Sequence, residues 1–434
     1  MIIYRSRVLD TPDDPFTGGV LRSDGDAGIA VERSVIVDRG DFRAVAARHP
    51  GAEVVDLRDG VLLPGLVDTH VHYPQIRAIG GLGMPLLDWL DQCALPEECR
   101  LEDPAYAGAV AREFLTGLTS AGTTTALVFG SHFHDAVDAL FAEAEKVGVR
   151  MTAGLVTSDH NLPEPLLSTP ERSYKEGRDL ADRWHGRGRL RYAVTPRFSY
   201  STTPDMLASG AALMADVPGL WFTSHMNENP AEIAAVADLF PGSAHYLDTY
   251  HRHGLITERS VLAHNAHPTD EELTLLAGSG ASVAHCPTSN SALASGSFPL
   301  RRHLDHGVRV ALGTDVGAGS GFSLFKEGLQ AYFMQQLLMG DGVPLTAVHL
   351  LHLATRAGAQ ALGLDDVGDL SVGKQFDAIL VRPEAGQPLD VCLRRAETAE
   401  NALAKIFSLG TAADIARVWI GGEAPVIPAA IPAG

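Results

Sequence analysis

The chain has 434 residues, 45% of them hydrophobic and 20% charged, which fits one large catalytic unit with a smaller one beside it rather than a single small domain. A net charge of -19 with no basic run or basic-aromatic stripe argues against a nucleic-acid partner, and no apolar stretch reaches the ~18 residues of a membrane helix. Cys93, Cys99, Cys286 and Cys392 are too scattered for a disulfide framework, and Met1 to Arg7 lack the apolar segment of a signal peptide, so a cytoplasmic enzyme is expected.

In chain order, residues 1–60 carry short β-like runs, Ser34 to Val37 and Ala52 to Val55, among turn residues. From residue 61 to about 340, apolar runs alternate with amphipathic stretches. Strands are predicted over 61–67, 123–129, 149–156, 190–196, 220–225, 259–264, 281–285 and 308–313. Helices are predicted over Pro104 to Leu118, His134 to Val147, Pro204 to Ala215, Pro230 to Leu239, Asp270 to Ala277 and Leu300 to His306. Thr203 before Pro204, and Thr269 before three acids, are helix-start signals. From about residue 372 the texture returns to short β runs, Phe376 to Val381 and Arg417 to Gly422. Eight strand-like runs separated by helices give the rhythm of an α/β fold, a (β/α)8 TIM barrel over 61–371. Neither flank has enough strands alone, so 1–60 and 372–434 are expected to form one composite small β domain, a β-sandwich.

Asp68-Thr69-His70-Val71-His72 closes the first barrel run. Side chains two apart on a strand share a face, so His70 and His72 point together. Three further runs end in a metal-capable residue: Leu220 to His225, Ser260 to His264 and Val308 to Asp315. A TIM barrel keeps its active site at those C-terminal strand ends. Three imidazoles and a carboxylate suit Zn2+, one per subunit, with iron(II) meeting the same ligand types. His70, His72, His225 and Asp315 are assigned as ligands, with His264 beside the attacking water. Glu228, three residues past His225, can reach over the site as a proton shuttle; its competing role is an ordinary acid before the helix that follows Asn229-Pro230.

Other histidines are set aside. His132 and His134, in Ser131-His132-Phe133-His134, are given a loop or helix-start role, and His285 a structural one. His245, His251 and His253 look like solvated helix positions. The chain has neither a His-Glu-x-x-His helix nor a Pro-Cys-x-x-Cys motif, which excludes two other zinc chemistries.

Five stretches narrow the reading: Asp68 to Gln75, Leu86-Leu87-Asp88-Trp89-Leu90, Thr195-Pro196-Arg197-Phe198, Ala284 to Asn290, and Gly313-Thr314-Asp315-Val316. On these the chain resembles the amidohydrolase superfamily and, within it, the guanine deaminase family, most specifically over 64–98 and 195–321. The resemblance implies zinc ligation by His70, His72, His225 and Asp315, and a proton shuttle at Glu228. It also implies purine contacts from Gln75, Arg197 and Phe198, with His225, Glu228 and His264 in the site, and a homodimer. Physically, an arginine fork can donate to O6 and N7 of guanine, a glutamine amide can donate or accept at a ring nitrogen, and Phe198 offers a stacking face. The competing role for Arg197 is a salt bridge at a strand end. The activity implied is hydrolysis of guanine to xanthine and ammonia, in purine catabolism or salvage. Asp315 and His264 would take the water proton, and Glu228 would pass it to ring N3 and the leaving amine. The alternatives are a deaminase or dechlorinase of a modified purine, pterin or triazine, and a non-catalytic barrel. The last predicts lost ligand positions, yet all are filled.

Overall fold

The computed structural model describes residues 1–426. The chain opens with β1 (Ile2–Asp10), β2 (Arg22–Glu32), β3 (Val35–Asp41) and β4 (Glu53–Pro64). Then come β5 (Leu66–His72), β6 (Thr123–Phe129), β7 (Arg150–Gly154), β8 (Val156–Thr157), β9 (Leu190–Pro196), β10 (Trp221–Met226), β11 (Ser260–His264), β12 (Ser282–His285) and β13 (Arg309–Leu312). Strands β14 (Ala378–Val381) and β15 (Ile415–Trp419) come last.

Leaving aside the two-residue β8, the strands from β5 to β13 lie side by side in chain order and parallel, the (β/α)8 barrel of the sequence reading. Closure is made by polar contacts between the two edge strands. Thr69 Oγ1 donates to the Leu312 carbonyl at 2.8 Å, the Asp315 amide to the His70 carbonyl at 2.9 Å, and the Thr314 amide to Asp68 Oδ1 at 3.0 Å. Every residue of β5, β6 and β7 is buried, as parallel strands covered on both faces require.

The two chain ends build one six-stranded sheet in the order β15-β14-β4-β1-β2-β3. Its own core holds Tyr4, Val8, Ile29, Phe376 and Trp419, with the Tyr4 and Phe376 rings stacked at 4.5 Å. Farther along, the helix Ala399–Leu409 lies on the barrel helix Leu324–Leu337, where Phe407 meets Phe325 at 5.3 Å between ring centroids.

One prediction is corrected here. The apolar run 61–67 is not a single barrel strand: Val61 to Pro64 end β4 of the small sheet, and the barrel strand begins at Leu66. The chain changes sheet at Gly65, whose amide donates to the Asp377 carbonyl while that of Leu66 donates to Gly122. A Cβ at Gly65 would lie 2.2 Å from Thr124 Oγ1, so only glycine lets the two sheets approach. His70 and His72 therefore stand inside the strand, not beyond it.

The predicted helix starts hold, and each is closed by the residue expected. Thr203 Oγ1 accepts from the Met206 amide, and Thr269 and Glu272 form a reciprocal capping box. The helix Pro170–Trp184, and those at Leu324–Leu337, Ala347–Ala354 and Arg356–Ala361, were not singled out from the sequence. Among the described residues no helix is long and apolar enough to cross a membrane.

Candidate active site

Four side chains converge on one point at the C-terminal mouth of the barrel. His72 Nε2 stands 3.2 Å from His70 Nε2 and 3.1 Å from His225 Nε2. Asp315 Oδ1 lies 3.2 Å from both His70 Nε2 and His72 Nε2. Four ligands about 2.0 Å from a tetrahedral zinc stand about 3.3 Å apart, so this donor set fits the ion. His264 is a competitor for the fourth place, since His70, His225, His264 and Asp315 also offer one donor each within 4.8 Å of one another. The separations involving His72 are shorter, whereas His264 Nε2 is 3.9 Å from Asp315 Oδ2. His72 is the better fit.

The electrostatics agree with a ligand set. Burial, then its neighbouring imidazoles, hold His225 well below the usual histidine range, and burial takes His70 to about 4, so both are neutral with a lone pair to offer. Burial pushes the Asp315 carboxyl up, but the adjoining His70 and His72 side chains outweigh it and hold it well below the usual carboxylate range. His225 Nδ1 donates to the Arg197 carbonyl at 2.6 Å, which turns Nε2 inward.

Glu228 and His264 face each other across the same space, His264 Nε2 lying 3.4 Å from Glu228 Oε2. His264 Nδ1 is anchored on Asn290 Oδ1 at 3.0 Å. Burial and the nearby Asp315 push Glu228 to about 7, against a lowering by His264. Burial lowers His264, but the carboxylates of Glu228 and Asp315 outweigh it and leave it raised. A carboxyl group that titrates near neutrality can both give and take a proton.

The backbone here is unusual. Asn227, His264, Asn265 and Asp315 all have positive φ, between 46° and 71°. Left-handed backbone at non-glycine residues concentrates at functional sites, and asparagine tolerates it best. The two asparagines are further tied by a 3.1 Å bond from Asn227 Nδ2 to Asn265 Oδ1.

Beside this cluster is a pocket with a polar side formed by Gln75, Arg197, Glu228 and His264 and an apolar wall of Leu86, Trp89, Phe198 and Leu293. Gln75 sits in the short helix Tyr73–Ala78 directly after β5, and Arg197 and Phe198 follow β9. Arg197 is also in a buried ion pair: its Nη1 donates to Glu98 Oε1 at 2.8 Å and to Oε2 at 2.6 Å. Both roles considered for Arg197, pocket group and salt bridge, are therefore present.

Glu98 was missed in the sequence. It shares the inward face of the helix Leu95–Cys99 with Leu95, three residues earlier, and that spacing was the only available signal. His132 is buried with Nδ1 3.4 Å from Glu98 Oε2, so it stands behind the pocket rather than in a plain loop. His134 begins its helix as expected and pairs with Asp135 and Asp179. His285 stacks on Phe298 at 4.2 Å. His251 ends the short helix Asp248–His251 and is exposed, whereas His245 and His253 are half-buried and outside it, a correction to their solvated helical reading. Their neighbours Tyr246 and Tyr250 are core residues, which draws the segment inward.

A match to the amidohydrolase family model spans residues 61–424. The chain belongs to the amidohydrolase family. Within this family it is 59% identical over 429 residues to a probable guanine deaminase of Deinococcus radiodurans, covering 97% of this chain and 98% of that protein. The solved guanine deaminase of Escherichia coli superposes with a TM-score of 0.94 at 36% identity, covering 98% of this chain and 99% of that one. A guanine deaminase of C. acetobutylicum, solved with guanine in its active site, gives 0.90 at 26% identity over 98% and 99% of the two chains. A metal-binding barrel is what the amidohydrolase fold and the buried histidine-aspartate cluster have in common.

Proposed function

We propose that this protein is a hydrolase of cyclic amidine C–N bonds that converts guanine to xanthine and ammonia. The observation that carries it is a single pocket in which His72, His225 and Asp315 of the donor cluster, an acid that titrates near neutrality and an Arg197–Gln75 edge face the same space. Relatives that span nearly the whole chain and carry the name guanine deaminase support guanine over a triazine or another heterocycle.

On this reading His70, His72, His225 and Asp315 hold one zinc ion per subunit, and their donor types and spacings fit it. Bound there, zinc would supply Lewis acidity that brings a water pKa toward ~7. Arg197 and Gln75 orient the purine by its polar edge, and Phe198 covers a ring face. In the net reaction water adds at C2, and the bond from C2 to the exocyclic nitrogen breaks. Glu228 accepts one water proton with His264 beside it and delivers it to ring N3; the second water proton, left on the C2 hydroxyl, then passes through Glu228 to the departing amine as the C2 carbonyl of xanthine forms. Asp315, ionised between two imidazoles, steadies the water. The Leu86, Trp89 and Leu293 wall limits solvent entry from the pocket side.

The reading also takes residues 65–371 as the catalytic barrel, 1–64 with 372–426 as the small domain, and a cytoplasmic homodimer as the assembled form. This moves the expected boundary from 61 to the sheet change at Gly65 and leaves 427–434 outside the described residues. Its test is ammonia release and xanthine formation from guanine, run against 2-aminopurine, a pterin and a triazine, with metal analysis of the same preparation. Turnover of guanine at near one zinc per chain is expected. A preparation that holds zinc but turns over only a triazine or pterin overturns it.

A further inference from the structure

Glu98 is 2% exposed and touches none of the four clustered donors. Three side chains nonetheless converge on its carboxylate: Arg197 at 2.6 and 2.8 Å, Gln75 Nε2 at 2.8 Å and His132 Nδ1 at 3.4 Å. An ionised carboxylate can only accept. Burial pushes Glu98 up, but the Arg197 charge, with the hydrogen bonds from Arg197 and Gln75, outweighs it and keeps its carboxyl below the usual range. Gln75 must therefore turn its NH2 toward Glu98, which sends its oxygen the other way. That oxygen lies beside Gly317, where an added Cβ would stand 2.3 Å from it. Arg197 commits Nη1 to Glu98, and the rest of its fork remains for the pocket.

We infer that Glu98 is a positioning residue that sets substrate choice by holding the pocket edge in one polarity, Arg197 as donor and Gln75 as acceptor. The inference rests on the guanine reading and narrows it. A donor beside an acceptor matches a lactam, a ring carbonyl next to a ring N–H, as in O6 and N1–H of guanine. It disfavours a ring whose N1 is a bare acceptor, because two lone pairs would then face each other in a dry site. The glutamine amide is thus not free to donate or accept as the ring demands, contrary to the expectation from residue type alone.

The test compares kcat/KM for guanine and for 2-aminopurine in the zinc-loaded enzyme and its variants. In Glu98→Gln the amide at 98 can donate as well as accept, so Gln75 is released to turn over. Guanine kcat/KM is expected to fall roughly 10–100-fold, mostly through KM, while that for 2-aminopurine holds, so the preference shrinks at least about 10-fold. Glu98→Asp keeps an obligate acceptor and should preserve the preference within about 3-fold, whatever it does to rate. Equal losses on both substrates in Glu98→Gln, or a collapsed preference in Glu98→Asp, overturn the inference. Should Glu98→Gln not fold, Gln75→Ala with Glu98 intact decides, since an undiminished preference there also overturns it. Wild type that fails to deaminate guanine sinks the functional reading instead, a separate result.

Discussion

Arg197 carries two burdens that mutagenesis has to separate. Its guanidinium lines the pocket, and it neutralises a carboxylate as buried as itself. Removing one partner of a buried pair leaves the other charge without compensation, so Arg197→Ala should destabilise the fold by about 3–5 kcal/mol, measured by denaturant unfolding. Among molecules that remain folded, guanine kcat/KM should fall by about 2–4 kcal/mol, with a smaller penalty for 2-aminopurine, which has no O6. Lysine keeps the charge without the planar fork and should not restore guanine turnover. Equal penalties on the two purines would mean that Arg197 acts only as structure. Glu228→Gln fills the same volume but cannot carry a proton, so kcat should drop about 10²–10⁴-fold with bound zinc unchanged. Near-normal turnover in that variant would remove Glu228 from the proton path.

Elements place these residues, and glycines at the crossings let them do so. Gly65 allows the chain to leave the small sheet and enter β5, and Gly313 performs the same service where β13 meets β5. A Cβ at Gly313 would lie 2.8 Å from His70 Cβ and 3.0 Å from its amide nitrogen. Gly313→Ala should therefore displace His70 and cost zinc occupancy, while Gly65→Ala, which meets Thr124, should cost about 1–3 kcal/mol of stability with a smaller effect on metal. Metal analysis and denaturant midpoints on both variants check the contrast, and full zinc occupancy in Gly313→Ala contradicts it. The loops after the strands matter as much as the strands. Left-handed backbone at Asn227, His264, Asn265 and Asp315 marks these turns, and the Asn227 and Asn265 side chains brace them, Asn227 Nδ2 donating to Asn265 Oδ1 and Asn265 Nδ2 meeting His303 Nε2 at 3.0 Å.

At the scale of the molecule, buried acids tie stability to pH. Burial pushes Glu232 to about 8, with its carboxyl receiving the Tyr246 hydroxyl, and it pushes Glu327 to about 8, where Thr288 donates through both amide and hydroxyl. Each has a folded pKa above its ordinary value of 4.5. The folded state then binds more protons than the unfolded chain between those two values, so stability declines as pH rises through that window. Above about pH 6.5, where the buried histidines are neutral in both folded and unfolded chains, the melting temperature should fall toward pH 8, and Glu232→Gln should flatten that slope. A slope unchanged in that variant would assign the effect elsewhere.

Much of the site was legible because its chemistry is tied to strand ends. An apolar run that stops at a histidine or aspartate is a local pattern, and a parallel barrel turns the strands that end this way toward one mouth; hence His70, His72, His225, His264, Asp315 and the helix starts at Thr203 and Thr269 could be named from the chain alone. What depended on distant partners could not. Glu98 is 23 residues from Gln75 and 99 from Arg197, and no local spacing announces that one carboxylate will hold both. The break at Gly65 was hidden for the same reason: within the run 61–67 every neighbour is apolar, and the glycine becomes decisive only when Thr124 is packed against it. Periodicity and residue chemistry act through near neighbours in sequence and so determine elements and donor types. Charge pairing in a dry interior acts through neighbours in space, and only the closed barrel decides those.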